Sequence, residues 1–121
     1  MTRLLLPNEN IHTHIQSKVG GGHQSVVEDV INAVKSNAVL VVGMRQNPVC
    51  KSVSKLLNSS NIQFEYLEYG SYFKDWKPRL AIKMWSGWPT FPMVFVNGCL
   101  VGGNSEVSKL IESGEMQTLL Q

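Results

Sequence analysis

Trp88-Pro89-Thr90-Phe91-Pro92-Met93-Val94-Phe95-Val96-Asn97-Gly98 is the stretch on which the reading of this chain turns, and it takes its meaning from Cys50 upstream. A Thr-X-Pro step leading into an alternating apolar run suits a cis proline, because the tertiary amide cuts the trans preference to about 0.5–1 kcal/mol. The expectation is a cis Phe91–Pro92 bond that turns backbone outward at the head of a strand. Asn97-Gly98 then closes a hairpin, being the strongest short-range signal for one. Cys50 follows the apolar, strand-like run Ala38-Val39-Leu40-Val41-Val42 and a short loop, and it opens a helix-like segment reaching Asn58. A thiolate at a helix N-terminus meets free N–H groups and the positive end of the helix dipole, which lowers its pKa. Arg45 before it and Lys51 after it add positive charge. Cys50 is therefore expected to titrate below the free-thiol value of about 8.5 and to alkylate faster than Cys99.

Working outward, Ser25-Val26-Val27-Glu28 has the spacing of a capping box, and Val26, Val27, Val30, Ile31 and Val34 follow at helical intervals, predicting a helix over 25–36. The run 38–44 is nearly all apolar, as a central strand covered on both faces must be. Phe64 to Tyr69 alternates with period two and reads as a second strand, parallel to the first because a helix intervenes. A helix follows within 72–85, with Pro78 placing its start near Trp76 or Lys77, since proline is accepted in a first turn. Met93 to Val96 and Leu100-Val101 form the hairpin, and helices over 104–112 and 115–120 complete the order β-α-β-α-β-β-α, preceded by one additional helix. Residues 1–22 show no sustained period and end in Gly20-Gly21-Gly22, so they read as a flexible N-terminal extension to a domain over 23–121. There are no internal repeats.

Composition bounds the function classes. A chain of 121 residues buries one core and little more. Its net charge of +2, with eleven basic residues interspersed among nine acidic ones, gives no arm or tail suited to nucleic acid. No apolar stretch approaches the roughly 18–20 residues that cross a bilayer, so a soluble protein without membrane attachment is expected. Two cysteines cannot build a secreted disulfide framework, and Leu4-Leu5-Leu6 is stopped at once by Pro7-Asn8-Glu9 instead of extending into a signal peptide. An intracellular, reducing compartment follows: the cytoplasm, with the mitochondrion as the alternative. His12, His14 and His23 lack flanking cysteines or acids and read as solvated. Trp85 and Trp88 read as core and rim packing.

From about Val39 onward the chain resembles the glutaredoxins, nearest to their single-cysteine, or monothiol, branch. The resemblance rests on Trp88-Pro89-Thr90-Phe91-Pro92, Asn97-Gly98, Val101-Gly102-Gly103 and Ser113-Gly114-Glu115-Met116, four motifs in order. It implies an α/β, thioredoxin-like fold: a four-stranded mixed sheet flanked by helices, here with an extra N-terminal helix. It implies Cys50 as the catalytic thiol and glutathione, or another low-molecular-weight thiol, as the partner. Arg45 and Arg79 match the family's cations for the glycine carboxylate, and a guanidinium offers a carboxylate a planar fork. Phe91 beside Pro92 would pair with the cysteinyl part as a short strand. Gly103, Asn104, Ser105 and Glu106 would hold the γ-glutamyl end, a double glycine letting backbone approach and helix-opening amides receiving the α-carboxylate.

The active motif departs from the branch. Cys50-Lys51-Ser52-Val53 stands where monothiol members have Cys-Gly-Phe-Ser, so no resolving thiol exists at the fourth position. The loop from Arg45 is also shorter than usual, and Lys51 replaces a glycine where a second subunit would dock. Three functions follow from the resemblance. One is a carrier in which two protomers hold a [2Fe-2S] cluster through Cys50 thiolates and glutathione, serving iron–sulfur client proteins and redox homeostasis. The others are a one-thiol oxidoreductase acting on protein–glutathione mixed disulfides and a non-catalytic thioredoxin-like binding module.

Overall fold

The computed structural model describes residues 3–121. Its centre is β1 (Val39–Gly43), every residue of which is buried. β1 pairs in parallel with β2 (Glu65–Glu68) and antiparallel with β3 (Met93–Val96), and β3 pairs antiparallel with β4 (Cys99–Gly102). The strand order is β2-β1-β3-β4. Side chains of a strand alternate between faces, and the apolar run of β1 accordingly feeds two cores. Leu40 and Val42 join Val30, Ile82, Met93 and Phe95, whereas Val39 and Val41 join Val53, Leu57, Val94, Val96, Val107 and Met116. The first core is roofed by α1 (Gln24–Ser36) and α3 (Trp76–Ser86), the second by α2 (Pro48–Ser59), α4 (Asn104–Ser113) and α5 (Glu115–Leu119). This is the expected four-stranded mixed sheet with an extra N-terminal helix.

Two local expectations are corrected. The capping box at Ser25 does not form. α1 starts one residue earlier, His23 holds the N-cap position with φ 49° and makes no side-chain cap bond, and Gln24 Nε2 donates to Glu28 Oε1 at 3.3 Å. The cause lies just upstream, where Gly20, Gly21 and Gly22 all have positive φ and lead the chain into the helix through left-handed backbone. Gly21 must also be small: a Cβ there would lie 3.2 Å from the Ala81 Cα of α3. Ahead of it the chain makes two short 3-10 turns, Asn8–Asn10 and Thr13–Ile15, and Arg3 Nη1 donates to the Ser86 carbonyl at 3.4 Å.

The second correction bears on the site. α2 begins at Pro48, not at Cys50, because Asn47 caps it: Asn47 Oδ1 accepts the Val49 N–H at 2.9 Å and the Cys50 N–H at 3.0 Å. Proline in the first turn costs no hydrogen bond, so Asn47-Pro48 is a strong start signal. Among the described residues no helix is long and apolar enough to cross a membrane.

Candidate active site

β1, α2 and β3 converge at one end of the sheet. The register sets Val42 opposite Met93, so the chain leaving β1 passes beside the segment that leads into β3, and Phe91–Pro92 is cis as expected. Cys50 sits in the third helical position of α2 and is only 1% exposed. Although α2 packs mainly on the second core, Cys50 belongs to the first, with Met44, Phe91 and Met93. It reaches there over the end of β1.

Burial reverses the expected electrostatics of the thiol. Removing the thiolate from water pushes the Cys50 pKa above its ordinary value, outweighing hydrogen bonds from the Met44 backbone and the Tyr66 hydroxyl that favour ionisation. The Glu68 carboxylate pushes it further up. The two cations named from the sequence do not offset this. Arg45 is exposed and turned toward β2, where its Nε meets Glu68 Oε2 at 3.4 Å. Lys51 is exposed and lines the rim of the same cleft as the thiol.

Three clefts surround Phe91 and Cys50. The first, about 360 Å³, is bordered by Cys50, Lys51, Lys55, Tyr66 and Glu68. The second, about 330 Å³, holds Asn47, Tyr72, Arg79, Lys83, Thr90 and Phe91. The third, about 310 Å³, runs from Phe91 and Pro92 past Trp88 to Gly103, Ser105 and Glu106. The second and third share Thr90 and Phe91 and so lie end to end along that segment, while Met44 lies between the first and the second. The structure thus brings together Arg79, Phe91, Pro92, Gly103, Asn104, Ser105 and Glu106. It sets Cys50 and Lys51 on a neighbouring cleft and Arg45 outside all three.

Each end of the Phe91 groove has its own chemistry. Arg79 is 7% exposed and its Nη1 donates to the carbonyls of Tyr69 at 2.9 Å and Lys74 at 2.6 Å, so it also ties down the loop before α3. Lys83 Nζ lies 5.7 Å from the Phe91 ring centroid. At the far end the Gly103 N–H donates to Glu106 Oε1 at 2.8 Å and the Ser105 hydroxyl to Glu106 Oε2 at 2.8 Å. These bonds, that from Gly103 foremost, hold the Glu106 carboxyl below its usual pKa. The Trp88 indole N–H is buried at the groove wall with no acceptor among the described residues. Such a donor costs roughly 1–3 kcal/mol unless a ligand or water satisfies it.

Sequence reasoning missed Tyr66, Asn47, Gly43 and Lys83. Tyr66 was visible only as one member of an alternating run, and the Val41–Tyr66 register is what aims it at the thiol. A Cβ on Gly43 would collide with the Tyr66 hydroxyl and lie 3.1 Å from Cys50 Sγ, so this glycine makes room for the pair. Among the described residues no group of three or more His, Cys, Asp or Glu side chains could hold a metal ion.

A family model described as glutaredoxin matches residues 39–101, which span β1 through all but the last residue of β4 and every cleft residue except Gly103 and those of α4. The chain belongs to the glutaredoxin family. A glutaredoxin-like protein of Dictyostelium discoideum is 43% identical over 103 residues, covering 85% of this chain and 84% of its own length. A Synechocystis protein named as an uncharacterized monothiol glutaredoxin is 38% identical over 93 residues, covering 73% and 84%. A buckwheat glutaredoxin–glutathione complex superposes with a TM-score of 0.69 at 22% identity, over 80% of this chain and 88% of that one, a likeness of fold. The protein is thus a thioredoxin-like member of the monothiol glutaredoxin branch. Its valine at the fourth motif position, Val53, is fully buried in the second core.

Proposed function

We propose that this glutaredoxin binds glutathione along Phe91 and Pro92 and uses Cys50 as its single reactive thiol. The observation that carries the reading is the groove itself, with cations at one end and helix-opening amides at the other. Arg79 and Lys83 suit the glycine carboxylate, and the amides of Asn104 and Ser105 suit the γ-glutamyl carboxylate. The buried Trp88 N–H supplies a donor that none of the described residues matches. Residues 23–121 form the working domain in this reading and 1–22 an extension.

The reaction would be one-thiol exchange. Cys50 Sγ, deprotonated, attacks the glutathione sulfur of a protein mixed disulfide; the client sulfur leaves as a thiolate and takes up a proton. A second glutathione thiolate attacks the sulfur of the Cys50-bound glutathione, forming glutathione disulfide and returning Cys50. Burial means that the α2 start must loosen before Cys50 reacts, which makes the exchange slow at neutral pH. Calorimetric titration with glutathione and turnover of a glutathione mixed disulfide test the reading together. Saturable binding with turnover abolished in Cys50→Ser is expected. No heat and no turnover at millimolar glutathione would reject it.

A second reading rests on a different observation. Val96 pairs with Val39 at the start of β1, so Cys99 lies at the opposite end of the sheet from Cys50, too far for a disulfide in this fold. Each protomer therefore has one site thiol and no internal partner for it. That donor set suits a [2Fe-2S] cargo shared by two protomers with two glutathione thiolates, once Cys50 is uncovered. Anaerobic reconstitution with iron, sulfide and glutathione should then give a coloured dimer by visible absorption and gel filtration. A colourless monomer leaves the exchange reading alone.

A further inference from the structure

Glutathione chemistry makes no use of the outer face of α3. Successive helical residues turn by about 100°, so with Trp76 at zero, Leu80 lies near 40° and Met84 near 80°. Ile82, near 240° and buried in the first core, lies on the opposite side of the helix, with the buried Ala81 and Arg79 between. Trp76, Leu80 and Met84 are 56%, 37% and 51% exposed, and Phe73, one turn ahead, is 93% exposed. An amphipathic helix in a small domain normally turns its apolar stripe inward. Here a second apolar stripe faces water.

The stripe has charged banks of one sign. Lys77 lies on one flank and Lys83 on the other, with Lys74 beside Phe73; between Tyr72 and Trp85 the single acid is Asp75. Lys77 Nζ lies 5.6 Å from the centroid of the Trp76 ring. Two copies joined through this face would set lysines against lysines. Leu4, Leu5 and Leu6 are 100%, 70% and 67% exposed, so they are not packed onto it. A bilayer-lying helix presents a broad apolar arc, whereas this one spans only about 80° and matches a ridge packed into a groove between side chains of another helix. The stripe also neighbours the site, because Lys83 on its flank lines the Phe91 groove.

We propose that the outer face of α3, from Trp76 to Met84, with Phe73 in the loop ahead of it, docks an amphipathic helix of a partner protein whose apolar face is bordered by aspartates or glutamates. The partner's acids would meet Lys77 and Lys74, leaving Lys83 to the groove, while its apolar residues cover Trp76, Leu80 and Met84. A segment docked there lies beside the groove, which would select which proteins reach it. The inference does not depend on glutathione being bound.

The test uses the full chain and a fluorescein-labelled, eighteen-residue synthetic helix with leucines on one face and glutamates on its flanks, read by fluorescence anisotropy. A second peptide carries lysines on the flanks. The acidic peptide should bind at least about tenfold more tightly than the basic one, and the double variant L80E/M84E, altered only at exposed positions, should lose binding with its circular dichroism spectrum unchanged. Equal affinities for both peptides, no binding of the acidic peptide up to millimolar concentration, or unchanged binding by the double variant would overturn the proposal. So would preferential sedimentation with vesicles containing phosphatidylserine, which reassigns the face to a bilayer. Gel filtration showing a dimer that L80E/M84E dissociates would reassign it to a second copy of this chain.

Discussion

At the scale of single residues the site turns on how three groups share one small space. Cys50 Sγ and the Tyr66 hydroxyl meet above Gly43, and all of them sit where β1 gives way to α2. Gly43→Ala would drive a methyl group into that contact, and overpacking of this kind costs about 1–3 kcal/mol; urea unfolding should show a lower midpoint with an unchanged slope. The thiol's own behaviour follows from burial. Below its raised pKa Cys50 stays protonated and covered, while Cys99 is exposed on β4. Iodoacetamide at pH 7.5, followed by peptide mass analysis, should label Cys99 first. Cys50 should gain on it only in alkaline solution, and faster labelling of Cys50 at neutral pH would mean that the α2 start is open in solution. The sequence led to the opposite expectation for a physical reason: a helix N-terminus does lower a thiol's pKa, but only desolvation, which depends on packing, decides whether that effect prevails.

Among the elements, α2 and α3 carry the site, and each is anchored by one buried polar side chain. Asn47 satisfies two helix-opening N–H groups, and its Nδ2 donates to the Tyr72 hydroxyl at 3.3 Å. Asn47→Ala should cost about 1 kcal/mol, within the range for lost N-caps, and should quicken Cys50 labelling because the turn that covers the thiol loosens. Arg79→Ala should act twice. Two carbonyls lose a charged donor, worth about 1.5–3 kcal/mol of stability, and glutathione affinity should fall by about 1–3 kcal/mol if the guanidinium also meets the carboxylate. Thermal melting and calorimetry separate the effects, and a melting loss with unchanged affinity would confine Arg79 to the loop. The elements themselves were legible from periodicity: the apolar run of β1, the hairpin at Asn97-Gly98 and the proline-limited start of α3 all lie where the residues indicated. What was not legible depended on contacts distant in sequence. The glycine run before His23 overrode Ser25 as a cap, and Asn47-Pro48, a signal present but unread, drew the helix two residues forward and Cys50 into the core. The Phe91 groove was legible through its motif, whereas the separation of Cys50 onto another cleft and the swing of Arg45 to Glu68 were not.

For the whole molecule these local shifts combine into a pH profile of stability. Glu106 has a lowered pKa, so its capping contribution is present above the unfolded carboxylate value and is lost as pH falls through the folded one. Cys50 acts at the other limb. Its folded pKa is raised, so its contribution is complete below the unfolded thiol value of about 8.5. Above that the unfolded chain releases the Cys50 proton while the folded chain keeps it, and stability falls until the folded thiol also ionises. Tyr66 and Tyr69, both also raised by burial first, add a further loss that begins only near the ordinary phenol value of about 10. The two alkaline windows are therefore distinct. Urea midpoints measured from about pH 7 to about 11 should decline from about pH 8.5, and Cys50→Ala, whatever its cost at neutral pH, should flatten the decline between about 8.5 and 10 while leaving the steeper loss beyond. A wild-type profile that is level up to pH 10 would show that the thiol ionises as easily folded as unfolded, and the covered state of Cys50 would then have to be abandoned as the resting form of the protein.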